Sequence, residues 1–428
     1  MDDFSMIKNI IISPNADRKE ITESFNVLCD AVNKLSKLLD AQRILYFQGI
    51  IEAVLDCIEQ GNYELAEWNL NELISDLKTC SNVYCIWGKG KIYELTRQYC
   101  INNKLLFIEN DSVDSAEFEG VNLICDDEVD VHFCGECIQV KAFYELAYMS
   151  HYMYWGSKFR YEEMKGNITG IATGISYFRD GIISEVIDAN FSNLANGSQD
   201  VFYDLCMLKR AYEENKESLR KVIMGLAPYS LRYDETKSRE QISQGRPFPY
   251  VVDFGLTHHL DGIKEVEFIK EQKIKIEKSI GLSLFEYLIK KSGLIEQVLP
   301  EFDMEKVFYS GHISANHIFE INGKYNKPYP DTIIENKVLI KQYIQFCEKN
   351  NLELLIVIPP FSNWHNQKWD RKYKDELVDY LYEIGNDLDF QLLDLSESLW
   401  PDFYFRDYSH LNKLGSYRLS NIIRQILM

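Results

Sequence analysis

From about residue 168 onward, short apolar segments alternate with longer segments of helical periodicity. Predicted strands lie within ITGIATGIS, LRKVIMGLAPYSL, LELLIVIPP and FQLLDLS, and the segments between them place apolar residues at helical spacing. Strands that are apolar on both faces belong to a buried parallel sheet that helices cover on both sides. The sequence therefore predicts an α/β domain with functional groups at the carboxyl ends of its strands.

The chain of 428 residues is too long for one ordinary hydrophobic core. Residues 1–80 place apolar residues at helical spacing and are predicted to form a helical N-terminal region. Residues 81–137 follow the pattern strand, turn, helix, strand, which predicts a small Rossmann-like α/β module, and the aromatic-rich residues 138–167 predict a helical connection. The α/β domain then covers 168–428, interrupted at about 231–330 by a charged, less regular insertion that is expected to shape an active-site rim.

Two glycines follow the first predicted strand of the small module. In a nucleotide-binding protein, Gly88 and Gly90 would let backbone N–H groups approach a phosphate, with Glu109 or Asp111 ending the second strand. The third glycine of that motif is missing, and a short G-x-G arises easily by chance. A structural module is therefore favoured over a nucleotide site, and no cofactor is predicted.

Composition and charge indicate which partners and which cellular compartment to expect. The formal net charge of -20 disfavours binding to nucleic acid or to an anionic membrane surface. The N-terminus lacks the pattern of a secretory signal, and the longest apolar run, LLIVIPPF, is far shorter than a membrane span. The ten cysteines have no framework spacing, which favours reduced thiols. We expect a cytoplasmic protein, and a homo-oligomer is left open.

One short segment, HFCGEC, resembles a set of metal ligands. It contains His132, Cys134 and Cys137, but no second Cys/His pair lies at a spacing suited to a four-ligand zinc site. Buried thiols are the favoured interpretation, and no metal site is predicted.

A serine follows the first predicted strand of the α/β domain. Ser176 comes after Gly174 where the apolar segment ends, and a helix-like segment follows it. A serine there presents its hydroxyl at the sheet edge and its backbone N–H at a helix N-terminus, which favours a developing oxyanion. Ser176 is thus a candidate nucleophile, although helix capping is the ordinary role of such a serine. The next charged residues, Arg179 and Asp180, are expected to pair with each other or with solvent.

A D-x-x-H motif near the C-terminus offers the partners that a nucleophilic serine needs. Asp407 and His410 lie on one turn, between an apolar segment and the last predicted helix. A serine hydroxyl becomes a good nucleophile when an imidazole takes its proton, and the imidazole needs an acceptor on its other nitrogen. Alone, each residue has an ordinary alternative as a capping or surface residue. Together with Ser176, they predict a catalytic triad.

From about residue 168 to 428, the chain resembles the SGNH (GDSL-like) hydrolase superfamily. The segment around GIS resembles the nucleophile block of that family, with Ile175 where an aspartate is commonest, and DYSHLNKLG resembles its final block. The resemblance implies a flavodoxin-like three-layer α/β fold. It also implies hydrolysis of an ester through an acyl-enzyme, with Ser176, His410 and Asp407 as the triad.

The resemblance further implies an oxyanion hole that includes the backbone N–H of Ser176. The segment FSNLANGSQD resembles the glycine block, with Ala195 where the usual glycine stands and Gly197 close by. The segment VIMGLAPYSL takes the place of the asparagine block but contains no asparagine. Tyr229 or Ser230 is the candidate replacement, unless the third donor is missing. Loss of one such donor costs roughly two to three orders of magnitude in rate.

The remaining polar and aromatic residues of the domain are predicted to lie outside the catalytic triad. Trp364 and His365 follow the strand LLIVIPP and would lie near the pocket mouth, where they are candidates for stacking on a sugar ring or lining an acyl site. The remaining histidines of the insertion are interpreted as surface or rim residues: His258, His259, His312 and His317.

The leading prediction is a serine esterase that hydrolyses an O-acyl group, expected to be O-acetyl, on a carbohydrate. The substrate is taken by analogy, because this superfamily often acts on glycans. One alternative is an acyltransferase that moves an acyl group onto a glycan hydroxyl. The other is a catalytically decayed SGNH-like binding or scaffold protein, which the missing asparagine favours. The predicted partner is a small-molecule or glycan ester.

Overall fold

The computed structural model describes residues 3–13, 15–35, 41–80, 83–109, 118, 120–129, 133, 135–293, 306–309, 323 and 329–428. The chain divides into two compact units. The first comprises Met1–Phe143 and Ile274–Leu288, and the second comprises Tyr144–Lys273 and Ile289–Met428. Each unit contains one parallel sheet.

The strands are short, and those of the two sheets are numbered together in chain order. They are β1 (Tyr84–Trp87), β2 (Phe107–Glu109), β3 (Val121–Ile124), β4 (Cys137–Ile138), β5 (Gly170–Thr173), β6 (Phe191–Asn193), β7 (Lys221–Gly225), β8 (Glu353–Ile358) and β9 (Gln391–Asp394).

The α-helices of the described residues are likewise numbered in chain order. They are α1 (Asp3–Ile11), α2 (Arg18–Leu35), α3 (Ala41–Glu59), α4 (Tyr63–Cys80), α5 (Lys91–Asn102), α6 (Val140–Ala147), α7 (Tyr152–Met164), α8 (Ser176–Gly181), α9 (Ser184–Ile187), α10 (Val201–Glu214), α11 (Arg239–Ser243), α12 (Phe248–Phe254), α13 (Lys264–Ser279), α14 (Ser283–Ser292), α15 (Pro330–Lys349), α16 (Asn363–Asn366), α17 (Lys372–Ile384) and α18 (Lys413–Leu427). Among them, none combines the length and apolar character needed to cross a bilayer.

The first unit combines a helical region with a small sheet. Helices α1 to α4 share an apolar core that includes Leu28, Phe47 and Leu70, and the sheet has the parallel order β2-β1-β3-β4. Part of the predicted insertion also belongs to this unit. The hydroxyl of Tyr84 donates to the carbonyl of Ser279 at 2.7 Å, which ties that segment to β1.

The second unit is built on a five-stranded parallel sheet with the order β6-β5-β7-β8-β9. The side chains of successive residues in a strand point to opposite faces of the sheet. Two neighbouring residues of β5 therefore show what packs on each face. Ala172 belongs to an apolar core that also contains Leu419 of α18. The next residue, Thr173, shares a 3.0 Å hydrogen bond with the hydroxyl of Tyr343 on α15. Helices therefore cover both faces of the sheet.

The predicted α/β architecture with buried parallel strands is confirmed. The strands and helices predicted for residues 168–230 and 331–428 are present. β6 was not predicted as a strand, because its three residues were interpreted as part of a functional turn. The insertion at 231–330 is more regular than predicted, since it contains α11 to α14. The division into units also differs from the predicted boundaries, because 274–288 belong to the first unit.

Candidate active site

The turn between β5 and α8 presents Ser176 at the carboxyl edge of the second sheet. Gly174 has a φ of 137°, a conformation that disfavours any side chain. A Cβ at Gly174 would also lie 2.8 Å from the carbonyl oxygen of Gly225, at the end of β7. Ile175 caps the helix, and its carbonyl accepts from the N–H of Phe178 at 2.9 Å. Ser176 thus begins α8, with its backbone N–H at the helix N-terminus.

Small residues allow α8 to lie close to the sheet. Phe178 is fully buried, and a Cβ at Gly225 would come within 2.2 Å of its ring. Gly174, directly after β5, and Gly225, at the end of β7, therefore make room for this phenylalanine, and the packed ring holds the first turn of α8 in position. Ile175, the residue before Ser176, is buried in the same core as Phe178.

The D-x-x-H motif forms a closed turn in front of α18. An isolated antiparallel bridge joins Phe405 and Leu411 on its two sides. One carboxylate oxygen of Asp407, Oδ1, accepts from the backbone N–H groups of Ser409 and His410, both at 2.8 Å. Asn412, not Asp407, caps the following helix, since its side chain accepts from the N–H of Gly415. The turn therefore holds both carboxylate oxygens of Asp407 against the ring of His410, with Oδ1 3.1 Å and Oδ2 2.9 Å from Nδ1.

Three predicted side chains meet in one chain of hydrogen-bonding distances. Ser176 Oγ lies 2.9 Å from His410 Nε2, and His410 Nδ1 lies 2.9 Å from Asp407 Oδ2. An ionised carboxylate only accepts hydrogen bonds, so this contact assigns the proton of the imidazole to Nδ1. Nε2 is then the acceptor for the hydroxyl of Ser176. The arrangement can move a proton from the serine to the imidazole.

Electrostatics favour an ionised Asp407. Burial disfavours the charged carboxylate, but the adjacent His410 and the N–H donors of Ser409 and His410 outweigh it. Together they hold the pKa of Asp407 well below its ordinary value. The group is thus a carboxylate at neutral pH, able to orient the imidazole and to stabilise its protonated form.

A buried ionic network lies directly behind the triad. The predicted pair between Arg179 and Asp180 is present and bidentate, with distances of 2.6 and 2.7 Å. Arg406 was not predicted to take part, yet its Nη2 donates to Asp180 Oδ2 at 2.6 Å. Burial raises the pKa of Asp180, but Arg179, His410 and Arg406 outweigh it and lower the pKa below the ordinary value. The only sequence signal for Arg406 is its position immediately before Asp407.

The turn predicted to carry oxyanion donors lies next to the nucleophile. The backbone N–H of Asn196 donates to the carbonyl of Gly174 at 3.0 Å, which joins this turn to the end of β5. The N–H of Ala195 donates to the side chain of Asn193 at 3.1 Å, so this predicted donor is already engaged within its own turn. Gly197 lies against Arg179, because a Cβ there would come within 2.9 Å of the guanidinium.

The two candidates for the third donor both have partners inside the protein. The hydroxyl of Tyr229 donates to that of Tyr177 at 3.3 Å, and the ring of Tyr177 lies 5.0 Å from that of His410. The hydroxyl of Ser230 accepts from the backbone N–H of Ala227. The ring of Tyr177 thus lies between Tyr229 and the imidazole of His410. The role of Tyr229 as an oxyanion donor stays a prediction.

The two residues predicted to contact substrate differ in exposure. Trp364 is partly buried, and its ring lies 5.9 Å from that of Tyr408. His365 is 1% exposed and stacks on Phe361 at 4.4 Å. A side chain enclosed in this way packs the core instead of lining an open pocket, which argues against substrate contact for His365. A short segment separates β8 from α16, and α16 turns the ring of His365 inward, which the sequence pattern does not reveal.

Several residues singled out in the sequence lie outside the described part of the chain: Asp111, His132, Cys134, His312 and His317. Of the HFCGEC segment, Cys137 is described and lies on β4, where burial raises the pKa of its thiol. Gly88 and Gly90 both have positive φ angles, and Gly90 caps α5. Glu109 ends β2 and pairs with Arg97 at 2.7 Å.

Comparisons with known proteins give little further information. No family model matches the chain, and no curated protein matches it. One similar solved structure is that of a “putative acylhydrolase” from Bacteroides fragilis NCTC 9343. It is 10% identical, covers 64% of this chain and 96% of that chain, and has a TM-score of 0.33. Similarity at this level shows neither the family nor the activity of this chain.

Proposed function

We propose that the second unit is a serine ester hydrolase of the SGNH (GDSL-like) type. The observation that carries the proposal is the uninterrupted chain from Ser176 Oγ through His410 to Asp407. The sheet adds support: counted within the unit, its strand order is 2-1-3-4-5, which is the flavodoxin-like order. Ser176 follows the first strand of that order, at the point where the order reverses direction.

In the proposed reaction, Ser176 Oγ attacks the carbonyl carbon of an ester while its proton passes to His410 Nε2. The tetrahedral intermediate collapses, and the alcohol leaves with the proton from His410. Water then attacks the acyl-enzyme with His410 again as the base, which releases the carboxylic acid and restores Ser176. Asp407 keeps the imidazole oriented and stabilises its cationic form in both halves of the reaction.

The oxyanion of each intermediate would form beside the N-terminus of α8. The backbone N–H of Ser176 is the first donor in this proposal, and the turn from Ala195 to Gly197 supplies the second. Because the N–H of Ala195 is already bonded to Asn193, Gly197 is the preferred donor of that turn. The favoured substrate is an O-acyl, in particular O-acetyl, group on a carbohydrate, which is an analogy with the family that the sequence resembles.

The test compares Ser176→Ala with a matched control, Ser184→Ala, whose serine begins the next helix, α9. We expect hydrolysis of p-nitrophenyl acetate to fall by about 10³-fold or more in Ser176→Ala, because the nucleophile is removed. The control should keep the parent rate, and circular dichroism should show both variants folded. Unchanged turnover in folded Ser176→Ala would refute the assignment.

Two observations favour the alternative of a decayed, non-catalytic domain. The segment VIMGLAPYSL lacks the asparagine expected of the family, and the N–H of Ala195 is engaged elsewhere. A fluorophosphonate probe separates the two possibilities, because it reacts with an activated serine only. Labelling of the parent protein that is lost in Ser176→Ala supports the hydrolase. Failure to label the folded parent protein supports a binding or scaffold role.

A further inference from the structure

A second cluster of chemically versatile side chains lies in the same unit, outside the triad. It consists of Asp234, His258, His259 and Glu335, each of which offers one ring nitrogen or carboxylate oxygen, and these four atoms all lie within 4.8 Å of one another. Asp234 precedes a short 3-10 turn, the two histidines lie in the loop between α12 and α13, and Glu335 lies on α15. Three segments that are distant in sequence therefore converge on one point.

Each imidazole of the cluster lies between the two carboxylates. His259 Nδ1 is 2.9 Å from Asp234 Oδ2, and His259 Nε2 is 3.5 Å from Glu335 Oε2. His258 Nε2 is 3.1 Å from Glu335 Oε1. Metal–ligand bonds of about 2.0–2.2 Å in a tetrahedron place neighbouring ligand atoms about 3.5 Å apart. One ion can take only one nitrogen from each ring. One ligand atom from each of the four residues can be chosen so that all lie within 4.8 Å of one another, and small side-chain shifts would bring these atoms to the spacing of a single small cation.

The surroundings hold His258 in a defined orientation. Its ring stacks on Phe202 with 3.9 Å between the centroids and an angle of 7°. Its Nδ1 lies 3.2 Å from Thr236 Oγ1, which in turn donates to Asp234 Oδ1 at 2.5 Å. In the structure Nε2 faces Glu335 Oε1 at 3.1 Å, and a carboxylate only accepts, so Nε2 carries a proton there. When a cation takes the place of that proton, the Thr236 oxygen can accept from Nδ1–H, because its own proton is used on Asp234. A hydrogen bond of this kind to the second ring nitrogen is typical of metal-binding histidines.

The backbone supports the same arrangement. His258 has a φ of 47°, in the left-handed region that residues other than glycine seldom occupy. This conformation carries a local energetic cost that contacts elsewhere have to offset. Its consequence here is that two consecutive histidines, whose ring centroids are 4.0 Å apart, both face Asp234 and Glu335.

Lys237 is the one cation beside these carboxylates among the described contacts. Its Nζ lies 3.2 Å from Asp234 and 3.7 Å from Glu335, and it also donates to Thr332 Oγ1 at 3.1 Å. The lysine neutralises only one of the two negative charges. Its side chain is a quarter exposed, so it can turn outward when a divalent cation displaces it from both carboxylates.

We propose that Asp234, His258, His259 and Glu335 bind a divalent transition-metal ion, with Zn²⁺ as the preferred occupant. Two imidazole nitrogens and two carboxylate oxygens suit Zn²⁺, whereas Mg²⁺ and Ca²⁺ favour sites made of oxygen alone. Four protein ligands close the coordination sphere, which is the arrangement of a structural site. The ion would join the turn at Asp234 and the histidine loop to α15.

The test measures binding of Zn²⁺ and does not depend on esterase activity. The full-length protein is stripped with chelator, dialysed and titrated with Zn²⁺ by calorimetry, and its thermal unfolding is followed in parallel. We expect about one equivalent to bind and to raise the Tm, because the ion binds the folded state selectively. Mg²⁺ and Ca²⁺ at the same concentration should leave the Tm unchanged.

Two ligand variants and a matched control decide where the ion binds. His259 is 35% exposed, so His259→Ala and Glu335→Gln should fold, and each should weaken Zn²⁺ binding at least tenfold. Thr257→Ala is the control, because its hydroxyl bonds to Asp261 and lies outside the ligand set. It should bind Zn²⁺ as the parent does. Equal binding by the ligand variants, or no binding by the parent protein, would overturn the proposal.

A further variant distinguishes an ion site from a cluster of salt bridges. In Lys237→Met the competing ammonium is removed, so Zn²⁺ should bind several-fold more tightly than in the parent. In a cluster held only by ion pairs, the same change removes a stabilising charge and creates no metal affinity. Unchanged or weaker Zn²⁺ binding in folded Lys237→Met would overturn the placement of the ion between Asp234 and Glu335.

Discussion

Arg406 and Asp180 form a buried ion pair with 2.6 Å between Nη2 and Oδ2. Their side chains are only 11% and 5% exposed, and the pair joins the residue before Asp407 to the helix that begins with Ser176. The carboxylate of Asp180 also accepts two hydrogen bonds from Arg179, one on each oxygen. Asp180 therefore connects the two segments that carry the triad, although it lies outside the triad itself.

Removal of Asp180 should destabilise the protein. In Asp180→Ala, two buried guanidinium groups lose their common counter-ion, and breaking such a pair costs about 3–5 kcal/mol. In Arg406→Ala, Asp180 still has Arg179, so the loss should be smaller. Urea unfolding of the second unit measures both changes. A loss for Asp180→Ala no larger than that for Arg406→Ala would contradict the central position of this carboxylate.

Asp407→Asn should lower turnover without unfolding the protein. The amide cannot stabilise the imidazolium and favours the wrong tautomer of His410, and the equivalent change in a serine protease lowers kcat by about 10⁴-fold. The KM for p-nitrophenyl acetate should change little, because the ester is not expected to contact Asp407. Steady-state kinetics at neutral pH provide the measurement, and Asp402→Asn, in the turn before the motif, is a suitable control. A kcat within tenfold of the parent would be inconsistent with a triad.

The low pKa of Asp407 predicts a specific dependence of stability on pH. A carboxyl whose pKa is lower in the folded state contributes stability that is fully present above its unfolded pKa, about 4. That contribution is lost as the pH falls below this value, through the lower folded-state pKa. The free energy of unfolding should therefore decrease more steeply below about pH 4 in the parent than in Asp407→Asn. Parallel slopes for the two proteins would contradict the assigned shift.

Gly174→Ala should impair both stability and activity. The φ of 137° and the 2.8 Å approach to the Gly225 carbonyl leave no room for a methyl group. We expect a loss of about 1–3 kcal/mol or more from the strained backbone, together with displacement of Ser176. Gly49→Ala is the control, since a Cβ on that glycine of α3 meets nothing within 4 Å. The free energy of unfolding of that variant should rise by about 0.5–1 kcal/mol, because alanine favours a helix more than glycine does. Denaturant midpoints and esterase rates test both.

The predictions from sequence succeeded where the signal is local. The sequence predicts β8 from its continuous apolar residues and α15 from its helical periodicity. Each of these patterns lies within one short segment of the chain. The predictions failed where a short element carries little periodicity, as in β6, or where burial depends on distant partners. His365 illustrates the second case, since the rings that enclose it include Tyr408 from another segment.

The sequence by itself determined that the chain from about residue 168 onward alternates buried strands with helices, and that Asp407 and His410 share one turn. Hydrophobic periodicity and a three-residue spacing are properties of neighbouring residues, so both can be deduced without coordinates. Only the tertiary structure decided that Ser176 meets an imidazole 234 positions away and that Arg406 joins Asp180. It alone also brought Asp234, His258, His259 and Glu335 together. Such meetings depend on strand order and on the packing of helices across the sheet, which no local pattern of residues encodes.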